Sequence, residues 1–167
     1  MRTYGWIPDL PDQRDLKYHV RRPDKVEVLP KEVDLRPHMP PVYDQGSLGS
    51  CTGQAIAAAI AYIRYKEEDL PDWSPSRLFI YYGERELEGT VASDSGAMIR
   101  DGIKVVANQG APAEKYWPYE IKKFARKPSK TAYKVAQRHK ALQYFRVNWD
   151  NLEEVKTCLA AGYPMIL

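Results

Sequence analysis

Gln45-Gly46-Ser47-Leu48-Gly49-Ser50-Cys51 is the stretch from which the rest of the chain can be read. Two glycines allow a tight loop, and the loop ends in a thiol. Immediately after it, Ala55, Ile56, Ala59, Ile60 and Ile63 recur at three- and four-residue spacing, which predicts a helix from Cys51 to about Lys66. Ser50 has the chemistry of an N-cap. Ala57, Ala58 and Ala61 keep the other faces small, so the helix is expected to be buried nearly all round.

A cysteine in the first turn of a helix faces the positive end of the helix dipole, which favours the thiolate, the nucleophilic form. Its own backbone N–H has no partner within the helix and can donate to a developing oxyanion. Gln45, six residues earlier, carries a side-chain amide that can supply a second donor. Two donors aimed at one oxygen form an oxyanion hole, and each is worth roughly 3 kcal/mol. These are parts for acyl transfer through a thioester, and they lack only a base beside the thiol.

Composition narrows the alternatives. The 167 residues suit about one domain, and 44% apolar content can build a core. A net charge of +3, with cations and anions interspersed, excludes a nucleic-acid stripe. The Lys122, Lys123, Arg126, Lys127 and Lys130 cluster reads as a solvated loop. Two distant cysteines, Cys51 and Cys158, make neither a disulfide framework nor a metal cluster, so no metal or cofactor is expected. No apolar run reaches the 18 residues of a membrane span, and Met1–Asp9 has no signal-peptide core, so the default expectation is a cytoplasmic protein.

Outward from the loop, residues 1–28 are rich in Pro, Asp and Arg. They read as an arm or short pro-segment, anchored by Tyr4, Trp6, Ile7, Leu10 and Leu16 and crossing the cleft. Pro37, Pro40 and Pro41 exclude a helix before the loop. Ser74-Pro75 predicts a second helix running to about Leu87 and ended by Gly89. Asp94-Ser95-Gly96 introduces a third, with Ile99, Gly102, Ile103 and Val106 on one stripe and Gly110 after it. Tyr116-Trp117-Pro118-Tyr119 is an aromatic turn, and a short helix is expected from Lys130 to His139. Alternation over Ala141–Val147 predicts a strand. Asp150, with Glu153 at the capping-box position, predicts a last helix with Leu152, Val155 and Leu159 facing inward. Gly162 ends it, and Pro164–Leu167 reads as the opening of a strand.

The Gln45-Gly46-x-x-Gly49-Ser50-Cys51 pattern resembles the active-site loop of papain-like cysteine peptidases. Leu29-Pro30 through Val33-Asp34-Leu35-Arg36 is similar to the family's mature N-terminus. Ser95-Gly96 resembles its substrate-pairing segment, Trp117-Pro118-Tyr119-Glu120 its aromatic turn, and Leu152–Leu167 the start of its second domain. The resemblance covers 29–167. It implies an α+β fold in which a helical left domain meets the start of a β-rich right domain across a cleft. It also implies a peptide or protein substrate. Cys51 would be the nucleophile and Gln45 the oxyanion donor. Gly49, Ser50, Ser95, Gly96, Ala97 and Met98 would line the substrate site, with an apolar subsite beside Gly96. Two positions depart from the family pattern. Leu48 stands where many members have a disulfide cysteine, and Thr52 where an aromatic residue usually follows the nucleophile.

The family's catalytic histidine and asparagine lie beyond the point matching Leu167, so the base is expected outside these residues, on further sequence or a complementary chain. His19 in the arm, His38 in the Pro-rich entry and His139 at a helix end match no catalytic position. Cys158 reads as a small buried hydrophobe on the last helix. Two other outcomes fit the same residues: a peptide-binding half-fold or pseudoenzyme, and a thiol acyltransferase.

Overall fold

The computed structural model describes residues 4–20, 28–70, 72–141 and 143–167. Five α-helices and one two-stranded sheet are present among them. In chain order they are β1 (Trp6–Ile7), α1 (Cys51–Glu68), α2 (Arg77–Glu88), β2 (Ala97–Met98), α3 (Ile99–Asn108), α4 (Lys130–Ala136) and α5 (Leu152–Ala160). The architecture is α+β.

The centre is a packed trio of α1, α2 and α3. No residue of α1 from Cys51 to Tyr65 is exposed, as its run of small and branched apolar residues predicts. Ile56 and Ala57 on α1 meet Ile80 on α2, Val106 on α3, and Ala111. A second cluster joins Leu48 to Leu78, Phe79, Tyr81, Ala97, Val105 and Trp117. Leu48 is thus an apolar plug that ties the loop to the core. Gly83 is required in the α2–α3 contact, because a Cβ there would fall 2.7 Å from Val105 Cγ1.

Several boundaries differ from expectation. The second helix is capped by Ser76, whose hydroxyl accepts from Phe79 N at 3.1 Å, while Pro75 forms a bridge to Ala113. Asn151, rather than Asp150, caps α5, accepting from Glu154 N at 3.2 Å. The inward face of α5 is Glu154, Thr157 and Cys158, whereas Leu152 is exposed. Helix α4 stops at Ala136, short of His139. Of the strand expected over Ala141–Val147, residue 142 lies outside the described residues, and only Arg146 pairs, in an isolated parallel bridge to Lys17. Residues 164–167 form no strand. In both places the strand partners expected from alternation are not among the described residues.

The arm follows a different logic from the one its apolar residues suggested. Residues 1–3 and 21–27 of it lie outside the described residues. Tyr4, Trp6, Leu10 and Leu16 are all exposed, so they are not its anchors. Main-chain pairing and charge hold it instead. Trp6 and Ile7 pair in parallel with Ala97 and Met98. Asp15 receives Arg100 through Nε at 3.0 Å and Nη2 at 2.7 Å, and Asp9 receives Arg100 N at 3.0 Å. Ile7 is half-buried and Tyr18, 2% exposed, is buried, and the Tyr18 N–H donates to Arg146 O at 3.0 Å.

Candidate active site

The loop before α1 is built by short-range hydrogen bonds. Asp44 Oδ1 accepts from Gly46 N at 2.9 Å, and Gly46 takes φ +63°, a conformation suited to glycine. Gln45 Nε2 donates to Leu48 O at 2.8 Å, folding the amide back over its own loop. Ser50 N donates to Leu48 O at 2.8 Å, and the chain then enters α1 with Cys51 as its first residue.

Ser50 is buried and does not cap α1 with its side chain. Its hydroxyl has better partners. Tyr119 Oη donates to Gln45 O at 2.9 Å, which leaves Ser50 Oγ to donate to Tyr119 Oη at 2.6 Å. Gln54 Nε2 in turn donates to Ser50 Oγ at 3.1 Å. Tyr119 therefore joins both ends of the loop. Its ring lies 4.5 Å from the Arg77 guanidinium, which Tyr43 faces at 4.7 Å from the other ring. Glu114 closes the clamp, accepting from Arg77 Nη2 at 2.9 Å and Tyr119 N at 2.7 Å.

A second brace reaches the loop from the other side. Asp94 accepts from Gly49 N with both carboxylate oxygens, at 3.0 and 2.9 Å. Tyr81 Oη donates to Asp94 Oδ1 and accepts from Gly96 N at 3.2 Å. Burial, with the Asp94 carboxylate beside it, pushes the Tyr81 hydroxyl well above its ordinary range, so it stays a donor. Arg85, fully buried, secures the segment leading to Asp94. It donates to Val91 O at 2.8 Å and Ser93 O at 3.1 Å, as well as to Tyr81 O and Phe124 O.

The residues expected to line a substrate site divide into two groups. Gly49, Ser50 and Gly96 come together at the loop, and all three are buried. Ser95 is exposed and turns away, its hydroxyl donating to Thr90 Oγ1 at 2.8 Å. The Ala97 side chain belongs to the core, and only its N–H faces outward. Met98 is half-buried beside a cleft of about 500 Å³ shared with Leu10, Pro11 and Arg100.

What lies between Gly49 and Gly96 is Gly5 of the arm. Ala97 N donates to Gly5 O at 2.7 Å. A Cβ on Gly5 would fall 2.0 Å from Gly49 O, and one on Gly96 would fall 1.9 Å from Gly5 O. Only glycine backbones can approach this closely. The sequence shows Gly5 between two aromatics, and nothing local marks it as the residue that enters the loop.

None of the three histidines approaches Cys51. His38 packs on Tyr62 and Tyr65 of α1, at 6.3 and 5.1 Å between ring centroids. Those tyrosines lie roughly 16 to 21 Å along the helix from Cys51 at 1.5 Å per residue. His19 Nδ1 stands 3.6 Å from Glu154 Oε2, and His139 packs on Trp73. Cys158 is buried, and burial pushes its thiol up to about 11, which removes it as a competing nucleophile.

No family model matches the chain. It is 36% identical, over 187 aligned positions, to an uncharacterised peptidase C1-like protein of Acanthamoeba polyphaga mimivirus, covering 99% of this chain and 60% of that one. Xylellain, a cysteine protease from Xylella fastidiosa, superposes with a TM-score of 0.83 at 46% identity, over 95% of this chain and 63% of that one. The chain belongs to the papain-like cysteine peptidase family. This papain-like chain spans a little under two thirds of the length of these two relatives. A structure from work on the mite allergens Blo t 1 and Der p 1 shares the fold with a TM-score of 0.63 at 17% identity, over 83% of this chain and 45% of that one.

Among the described residues no helix of the papain-like chain is long and apolar enough to cross a membrane, and no cluster of three or more His, Cys, Asp or Glu residues could hold a metal ion.

Proposed function

We propose that this chain is the N-terminal part of a papain-like cysteine endopeptidase. The Cys51 thiolate attacks a peptide carbonyl, and the Cys51 N–H and the Gln45 amide donate to the oxyanion of the tetrahedral intermediate. A histidine outside these 167 residues protonates the leaving amine, and water then hydrolyses the Cys51 thioester with that histidine as base. Gly49, Ser50 and Gly96 line the substrate site, and the cleft beside Met98 is lined largely by charged side chains, Glu88, Arg100, Asp101 and Lys104 among them. The observation that carries this reading is the double bracing of the loop. Tyr119 ties Gln45 to Ser50, and Asp94 ties Gly49 to the Gly96 segment. Preorganisation of this kind is what an oxyanion site requires.

In the same reading residues 1–28 act as an inhibitory arm. Gly5 O occupies the Ala97 N–H, a main-chain donor that an extended peptide would use. A peptidyl epoxide, followed by peptide mapping, tests both parts. The adduct is expected on Cys51, and faster in a chain that starts at Val28. Label on Cys158 alone, or none in either form, sinks the nucleophile assignment. Equal rates sink the inhibitory arm.

A second reading, a peptide-binding module without turnover, rests on the Ala97 N–H, which can pair with an extended main chain whether or not Cys51 reacts. Epoxide labelling without peptide cleavage, in a chain extended by the sequence that follows Leu167, would favour it.

A further inference from the structure

The departure at Thr52, next to the nucleophile, has a structural partner. Thr52 Oγ1 donates to Glu84 Oε2 at 2.8 Å. Glu84 is fully buried on α2, wedged between α1 and α3. Its other oxygen, Oε1, has no hydrogen-bond partner. Gly102 on α3 makes the space, because a Cβ there would fall 2.2 Å from Glu84 Oε1 and 2.3 Å from Ile56 Cδ1.

The groups facing this carboxyl do not neutralise it. From α1 come Thr52 and Ile56, a hydroxyl and a hydrocarbon. Arg85, its neighbour on α2, sends its guanidinium to the carbonyls of Tyr81, Val91, Ser93 and Phe124. Glu88 on α2 and Asp101 on α3 add like charge, and Asp101 is itself paired with Lys104 at 2.8 Å. Burial is the main cause that pushes Glu84 up to about 8, and the Thr52 hydrogen bond is the largest influence favouring the carboxylate.

We propose that Glu84 is a positioning residue for Cys51. As a neutral acid it holds Thr52, and with it the first turn of α1. On ionisation it grips the Thr52 hydroxyl more tightly and sets a buried negative charge behind the first turn of α1, which opposes formation of the Cys51 thiolate. The inference rests on Cys51 as the reacting group and not on hydrolysis by this chain. It makes the residue after the nucleophile a relay between a buried proton and thiol reactivity.

The test is the rate of iodoacetamide alkylation at Cys51, counted on its own peptide by mass spectrometry, from pH 6.5 to 9.5. It uses the intact chain, Glu84→Gln and Thr52→Val. In the intact chain the rate stops rising as pH passes about 8, where Glu84 ionises. In Glu84→Gln it continues to rise, so its ratio of rates at pH 9.5 and 6.5 is several-fold larger. Thr52→Val removes the group that favours the carboxylate and moves the break to higher pH. A residue that only fills space would lower stability and leave all three profiles superimposable, which overturns the proposal. If Glu84→Gln fails to fold by circular dichroism, the direction of the Thr52→Val shift decides alone. A break in the profile of this chain, together with no peptide cleavage by a chain extended by the sequence that follows Leu167, sinks the peptidase reading and leaves this one standing.

Discussion

The hydroxyl of Tyr119 lies 2.6 Å from Ser50 Oγ, across 69 residues of chain. Through it the aromatic turn holds the nucleophile's neighbour, and the same hydroxyl donates to Gln45 O. Tyr119→Phe keeps the ring against Arg77 and removes only this junction. It is expected to cost about 1 to 2 kcal/mol of stability and to slow epoxide labelling of Cys51 several-fold. Labelling at the wild-type rate would show that the loop holds its geometry without the junction.

Asp94 and Tyr81 act on the loop as a unit, since Gly49 N and Gly96 N both depend on them. A double-mutant cycle with Asp94→Ala and Tyr81→Phe should give a coupling energy of about 1 kcal/mol or more. Strict additivity in urea unfolding would mean that the two braces are independent.

Arg85 is a buried cation satisfied by four carbonyls. Replacing it with Met keeps much of the volume and orphans those oxygens. The expected loss is on the order of 3 kcal/mol, read by thermal unfolding, with extra proteolysis in the segment 90–95. A change below about 0.5 kcal/mol, the range of a neutral surface substitution, would show that water satisfies these carbonyls equally well.

Glu84 also makes a stability prediction with a definite sign. Its proton is held more tightly folded than unfolded, because burial pushes the carboxyl up to about 8 from its ordinary 4.5. The folded state therefore binds more protons between those values, and stability falls as pH rises through that window. Glu84→Gln carries no such proton. Its melting temperature should gain on the wild type steadily from pH 5 to pH 8, and a constant difference across that range would contradict this.

Gly5→Ala places a methyl where no space exists, 2.0 Å from Gly49 O. The expected outcome is release of β1 from β2 and faster epoxide labelling of Cys51, with little change in global unfolding. Unchanged labelling would mean that the arm does not limit access.

Much of the helical part was legible because its signals are local. The small and branched residues after Cys51, Gly89 and Gly110 mark α1, α2 and α3 within a residue or two of their observed bounds. Cap positions slipped by one or two residues, since Ser74 and Ser76, or Asp150 and Asn151, offer the same oxygen chemistry. The strands read from alternation at 141–147 and 164–167 did not appear, because a strand exists only with a partner. The anchors of residues 4–20 were not legible. Exposed Tyr4 and Trp6 drew the eye, while Asp15, Arg100 and the bare backbone of Gly5 do the holding. Gln45 and Cys51 could be named from spacing. Tyr119, Asp94 and Glu84, which brace them, sit 33 to 74 residues from one or the other, and no local pattern reports a contact at that separation.

The arm and the cleft it enters belong to one polypeptide. Under the proposed inhibitory role, competition between Gly5 and a peptide for Ala97 N–H is therefore unimolecular on one side, with an effective concentration on the order of millimolar for a tethered segment. Diluting the protein leaves it unchanged. What alters it is the ionic medium, because the tether is fastened by Asp9 and Asp15 to Arg100 and Arg146. At about 0.15 M salt, charges are screened over roughly 8 Å, and the exposed Arg146 contacts weaken before the half-buried Arg100 fork does. If the arm limits access as proposed, access to Cys51 becomes a graded function of salt, set by the surroundings rather than by how much of the protein is present.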